Sequence, residues 1–125
     1  MSEQRDPLAA FDAGLTRSVA DDAGLSPDRL RELVGRHQQS VRDNPGVDDI
    51  VYEWRNYFHR DPVLERTDAA YYLQVRDHVW DEFAESLDLT DDERAALVAV
   101  HRKQVRAGTA VEPAGDDPLL VLGRP

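Results

Sequence analysis

A mainly helical α+β domain, about five helices with one small β-hairpin between the third and fourth, is the architecture this chain encodes. Three observations carry that reading. Apolar residues recur at helical spacing in five segments, each opened or closed by a recognisable stop or capping signal. Between the third and fourth segments the period changes, and residues 63–67 (VLERT) and 70–75 (AYYLQV) are rich in branched and aromatic side chains around a short polar connection. The chain has 125 residues, 41% of them hydrophobic, which suits one core and one domain.

Taken in order, residues 1–6 read as a disordered N-terminus, and the domain runs from 7 to 107. Residues 7–23 place Leu8, Phe11, Leu15 and Val19 on one stripe and predict the first helix. Ser26-Pro27, an N-cap followed by proline at the first helical position, opens the second, with Leu30, Leu33, Val34, His37 and Val41 inward. Asn44-Pro45-Gly46 stops it, because proline drives the preceding residue out of the helical region. A third helix over residues 48–58 buries Ile50, Val51, Trp54 and Phe58 and ends before Asp61-Pro62. The hairpin at 63–75 follows, and a lone hairpin must lie on helices to persist. Asp77 can cap a fourth helix that buries Val79, Trp80, Phe83 and Leu87. Thr90 to Glu93 forms a capping box that starts a fifth, to about Arg106. Residues 108–125 read as a flexible acidic tail ending in the apolar peptide LLVL at 119–122. Such a peptide can dock on a partner, or return as a strand to cover the hairpin edge.

Composition speaks to environment before it speaks to function. Lys103 is the single lysine against fourteen arginines, aspartate outnumbers glutamate seventeen to eight, and the net charge is -10. That bias keeps a chain soluble under strong screening, and it resembles the proteome-wide habit of extremely halophilic archaea. The stretch 51–89 (VYEWRNYFHRDPVLERTDAAYYLQVRDHVWDEFAESLDL) likewise resembles small haloarchaeal proteins that carry no assigned function. With no cysteine, thiolate catalysis, disulfides and thiolate metal sites are excluded. No apolar run approaches the length of a membrane span, so the expected location is the cytoplasm. Acidity ordinarily disfavours nucleic acid; in molar salt, however, local arginine contacts and stacking outweigh global charge.

Three surfaces carry residue types suited to binding. In VADDAGLSPDRLRELV, residues 19–34, Ala20, Gly24, Leu25, Ser26 and Leu30 resemble a helix-turn-helix motif, which would make 27–36 a recognition helix. Its outer face would then centre on Asp28, Glu32 and Gln39, flanked by Arg29, Arg31, Arg36 and Arg42. Carboxylates facing phosphate walls favour a plain antiparallel helix pair instead. The second surface follows from the third helix, whose buried stripe leaves Tyr52, Arg55, Asn56 and His59 outward, with Arg60 beside them and Arg66 on the hairpin. Helix, turn, helix and hairpin in that order resemble the recognition helix and wing of winged-helix proteins, and these residue types contact bases and phosphates. Paired on the surface with Glu53, Asp61 and Glu65, the same arginines would contribute only ~0–1 kcal/mol each. The third surface, Arg102, Lys103 and Arg106, is the densest positive charge in the sequence and sits where it complements a helix dipole.

Catalysis finds little support in the pattern. His37, His59, His78 and His101 occur singly, without ligand spacing, a phosphate loop or a nucleophile elbow. No metal site and no cofactor are expected. A small enzyme would need a cleft gathering carboxylates and histidine from separate elements. The leading expectation is a non-catalytic binding module of a halophilic cytoplasm, in the form of a winged-helix-like DNA-binding or regulatory protein. A protein-interaction adaptor is the alternative, DNA and protein partners fit the surface about equally, and self-association is left open.

Overall fold

The computed structural model describes residues 5–58 and 60–125. Five helices and a three-stranded antiparallel sheet follow in the order α1 (Ala13–Ala23), α2 (Pro27–Asp43), α3 (Val47–Tyr57), β1 (Val63–Arg66), β2 (Ala70–Gln74), α4 (Asp77–Ser86), α5 (Asp91–Gly108) and β3 (Leu119–Gly123).

Local chemistry explains most boundaries. α1 starts at Ala13 rather than Pro7, because the Asp12 side chain accepts from Leu15 N at 3.0 Å and caps the helix there. Leu8 and Phe11 precede it in a turn, yet still pack on the core. Gly24 ends α1 at φ 70°, a left-handed conformation that glycine adopts without strain. Ser26 caps α2 as its sequence predicts, and Asn44 leaves the helix in an extended conformation. α3 stops at Tyr57, and of its expected stripe only Val51 is fully buried, joined by Val47; Ile50, Trp54 and Phe58 are half-buried. Arg76, not Asp77, is the N-cap of α4 and supplies no side-chain hydrogen bond; Asp77 is the first helical residue. At α5 the capping box closes both ways, Glu93 N to Thr90 Oγ1 at 3.1 Å and Thr90 N to Glu93 Oε1 at 3.0 Å. Glu93 also accepts from Arg29 of α2 at 2.9 Å. The Thr90 amide, and secondarily Arg29, hold its pKa below the usual carboxylate value against the opposing effect of burial.

The largest departure concerns the chain's last segment. Residues 119–123 are not part of a free tail: they form β3, hydrogen-bonded to β2 in the order β1-β2-β3. Register pairs Tyr71 with Leu122 and Leu73 with Leu120. All five β3 residues are buried, so hydrophobic burial holds the peptide inside its own chain. The connection leading to it is fastened as well, since Gln74 Nε2 donates to Ala114 O at 2.8 Å and to Asp117 O at 3.2 Å. Of the six N-terminal residues read as disordered, 1–4 lie outside the described residues. Arg5 O, by contrast, accepts from Arg42 Nη1 at 2.5 Å, and Asp6 Oδ1 accepts from Leu8 N at 2.8 Å.

Both faces of the sheet are covered. One carries Tyr71, Leu73, Leu120 and Leu122 into the main core with α2, α4 and α5 residues such as Leu33, Trp80 and Leu97. The other joins Ala70, Leu119 and Val121 to Val105 of α5, with Tyr72 against them. Adjacent tyrosines thus point to opposite faces, and neither is fully exposed. Tyr72 lies so close to α5 that a Cβ on Gly108 would fall 2.5 Å from its ring, so any larger residue there would displace that ring.

The outer edge of β3 is closed by side chains. Arg124 N bonds Ala69 O, and Val75 N bonds Pro118 O, so the backbone groups of Val121 and Gly123 point away from β2. Gln38 of α2 meets them at both ends, donating to Val121 O and accepting from Gly123 N, each at 2.8 Å. Val121 N donates to His101 Nδ1 at 2.9 Å. Two helices thereby replace a fourth strand.

Candidate interaction site

His37 and His101 lie at the centre of the molecule, fully buried, with ring centroids 5.0 Å apart. Trp80, Phe83 and Phe11 surround them. Because Nδ1 of each ring accepts, from Gln38 Nε2 and from Val121 N, both imidazoles are neutral with the proton on Nε2. Burial pushes His37 down to about 3 and His101 well below its usual value, with His37 adding to the second effect. No group of three or more histidine, aspartate or glutamate side chains among the described residues is placed to hold a metal ion. This pair serves packing and the β3 edge.

Of the predicted surface on the third helix, one part assembles and another does not. Tyr52 and Arg55 of α3 share a groove of about 370 Å³ with Arg66 of β1, floored by Tyr71 and Val51. Tyr71 donates to Asp48 Oδ1 at 2.5 Å across that groove; burial first, then this bond and the Asp48 charge, raise the Tyr71 pKa. Asn56 is exposed on the same helix. Arg60 departs from the group, because α3 ends at Tyr57 and the chain turns. It lines a separate cleft of about 390 Å³ with Phe58, Asp61, Arg76 and Asp117. His59 lies outside the described residues. Arg55 is paired with Asp61 at 3.1 Å, both more than half exposed.

The exposed charge on α3 is mainly acidic. Asp48, Asp49 and Glu53 are all exposed there, against Arg55 alone. Tyr57, not among the residues the sequence singles out, is 82% exposed and Tyr52 69%; they are the two exposed Phe, Tyr or Trp side chains among the described residues. A helical wheel could have found Tyr57, since it falls outside the Val51 stripe. Arg124, just beyond β3, has its guanidinium 5.7 Å from the Tyr71 ring centroid; no such signal marks it, because the sequence around it reads as tail.

The other two arginine surfaces are largely committed within the molecule. On α2, Arg29 bridges Glu32 and Glu93 at 2.9 Å each, Arg36 donates to Leu87 O and Arg42 to Arg5 O. A recognition role for this helix loses those donors. On α5 the predicted trio divides: Arg102 and Arg106 border a cleft with Asp116 and Asp117, while Lys103 faces Asp22 of α1 at 3.9 Å.

A family model described as a domain of unknown function, DUF8048, matches residues 9–120. The chain belongs to the DUF8048 family. That match takes in all five helices and the hairpin and reaches the first two residues of β3. No curated protein matches the chain, and no solved structure does. Among the described residues no helix is long and apolar enough to cross a membrane.

Proposed function

We propose that this DUF8048 domain is a non-catalytic binding module of a halophilic cytoplasm, and that it docks another protein through the outward face of α3. The observation that carries this reading is the exposure of Tyr52 and Tyr57, both on one helix of eleven residues. Tyrosine gives large, stiff contact area with a polar tip and is enriched at protein interfaces. Asp49 and Glu53 lie on the arc between the two rings, so the complementary partner presents basic side chains, which pair with carboxylates and sit over tyrosine faces. The same carboxylates repel a phosphate backbone, and this favours protein over DNA.

A DNA-binding, winged-helix-like role draws on a different observation, the groove that unites Tyr52, Arg55 and Arg66 behind a helix-then-hairpin order. One experiment separates the two. Tagged full-length chain is recovered from its own cells in molar KCl, beside the Tyr52→Ala plus Tyr57→Ala double variant, and mass and the 260/280 nm absorbance ratio are measured. A defined protein partner retained by the wild type and lost by the variant is the expected result. Recovery of the same partner by both chains, or a nucleic-acid absorbance ratio, overturns the reading.

A further inference from the structure

Two arginines far apart in the sequence, Arg66 and Arg124, approach the same tyrosine at the hairpin-turn end of the sheet. Register sets Arg66 of β1 opposite Tyr71 of β2, and Tyr71 opposite Leu122 of β3. Arg124, two residues beyond Leu122, therefore emerges on the same face of the sheet as Tyr71. The Arg66 and Arg124 guanidinium carbons lie 5.8 Å and 5.7 Å from the Tyr71 ring centroid. Arg124 is fixed from two sides, its N donating to Ala69 O at 2.8 Å and its Nη1 to Thr67 O at 3.0 Å. Tyr71 is held in turn by its bond to Asp48.

Two more arginines stand behind this pair. Arg5 Nη1 reaches Arg124 O at 3.5 Å and Pro125 O at 3.4 Å, and Arg42 Nη1 donates to Arg5 O. Arg42 Nη2 lies 3.7 Å from the position of a Cβ on Gly123, and its buried Nε meets no acceptor among the described residues. Burial lowers the Arg42 pKa and the Arg5 charge adds to that, against Asp6. Arg29, Arg55, Arg94 and Lys103 each have a carboxylate within 4.0 Å. Among the described residues no Asp or Glu carboxylate lies within 4.0 Å of Arg5, Arg42, Arg66 or Arg124. Asp48 is engaged by Tyr71, and Asp6 by Leu8 N.

We propose that this corner binds the phosphate group of a small-molecule ligand, gripped by Arg66 and Arg124 beside the Tyr71 ring. Guanidinium presents paired donors that match phosphate oxygens and keeps its charge at every physiological pH. Arg124 arrives already positioned, which reduces the ordering that binding requires. A dianion entering beside the ring gives both guanidinium groups a counter-charge, and the arginines behind add to the local field without touching it. The proposal does not depend on the α3 reading: Arg66, Tyr71 and Asp48 border both surfaces, but Arg124 and its anchors belong to this one alone.

The test is a calorimetric titration of the full chain with inorganic pyrophosphate in KCl buffer. Saturable binding is expected, weakened about tenfold or more by Arg66→Gln and by Arg124→Gln, as loss of a charge-assisted contact implies. Arg17→Gln, which makes the same charge change on the exposed face of α1, leaves it unaltered. Arg66 is exposed, so Arg66→Gln stays informative even where Arg124→Gln fails to fold. Absence of pyrophosphate binding by the wild type, or equal binding by wild type and Arg66→Gln, overturns the proposal. Capture of a protein partner through Tyr52 and Tyr57 is read separately, so each idea can fail without the other.

Discussion

The two ends of the molecule are built to different standards. Around β3, with α2 and α5, the β3 side chains are buried and the outward backbone groups of Val121 and Gly123 are satisfied by Gln38 and His101. Around α3 and the hairpin, Trp54 and Phe58 are half-buried, Tyr52 and Tyr57 face solvent, and β1 carries a register shift between Val63 and Glu65. Rigid packing on one side and unfilled contact capacity on the other is the division expected of a scaffold carrying a binding surface.

Removal of β3 breaks that contrast most severely. Leu119, Leu120, Val121 and Leu122 are each at most 5% exposed, and side chains of this kind contribute ~1.5–3 kcal/mol apiece. Their sum is comparable to the whole stability of a small domain. A chain ending after Pro118 is therefore expected to lose its cooperative unfolding transition by circular dichroism. A retained transition would mean that β3 is accessory.

Acid tests the same end of the molecule. In the unfolded chain each histidine titrates near its ordinary value of 6.5, whereas burial holds His37 at about 3 and His101 well below normal. Between those limits the unfolded chain binds protons that the native one does not. Stability is therefore complete well above pH 6.5 and falls as pH falls through that value, by about 1 kcal/mol per pH unit for each histidine. Urea unfolding at fixed KCl between pH 6.5 and 5 should show that slope, roughly halved in His37→Phe. A flat profile would place the imidazoles in contact with water.

Gln38→Leu probes the clamp alone. It preserves bulk but leaves Val121 O, Gly123 N and His37 Nδ1 without their partner, and buried unmet groups cost ~1–3 kcal/mol each. A drop of a few kcal/mol in urea unfolding is expected. At the other end, Tyr52→Ala and Tyr57→Ala remove large side chains from exposed positions, where substitutions usually stay within ~0.5 kcal/mol. A substantial loss from either would show that α3 is structural, and the comparison between the two ends would collapse.

Legibility followed the range of the interaction. Ser26, the Thr90–Glu93 box and the Asn44-Pro45 stop act within a few residues, so α2 and α5 could be drawn from the sequence nearly to the residue. Asp12 acts locally too, but Pro7 and the stripe through Leu8 and Phe11 outweighed it, and α1 was started too early. On the surface, Tyr52, Arg55 and Arg66 were legible as a group because helical period and hairpin order place them together. Arg60 was not, because one turn after Tyr57 sends it into another cleft.

By itself the sequence determined five helices, a hairpin, their punctuation and an acidic, arginine-based surface, since these rest on spacing, caps and composition. Only the tertiary structure decided where the last strand goes, which tyrosines stay in water and which arginines flank Tyr71. Gln38 and Val121 are 83 residues apart, and Arg66 and Arg124 reach the same tyrosine ring only through the register of the strands on either side of it. Such pairings come from the competition of whole surfaces for burial, and no local pattern in the chain records its outcome.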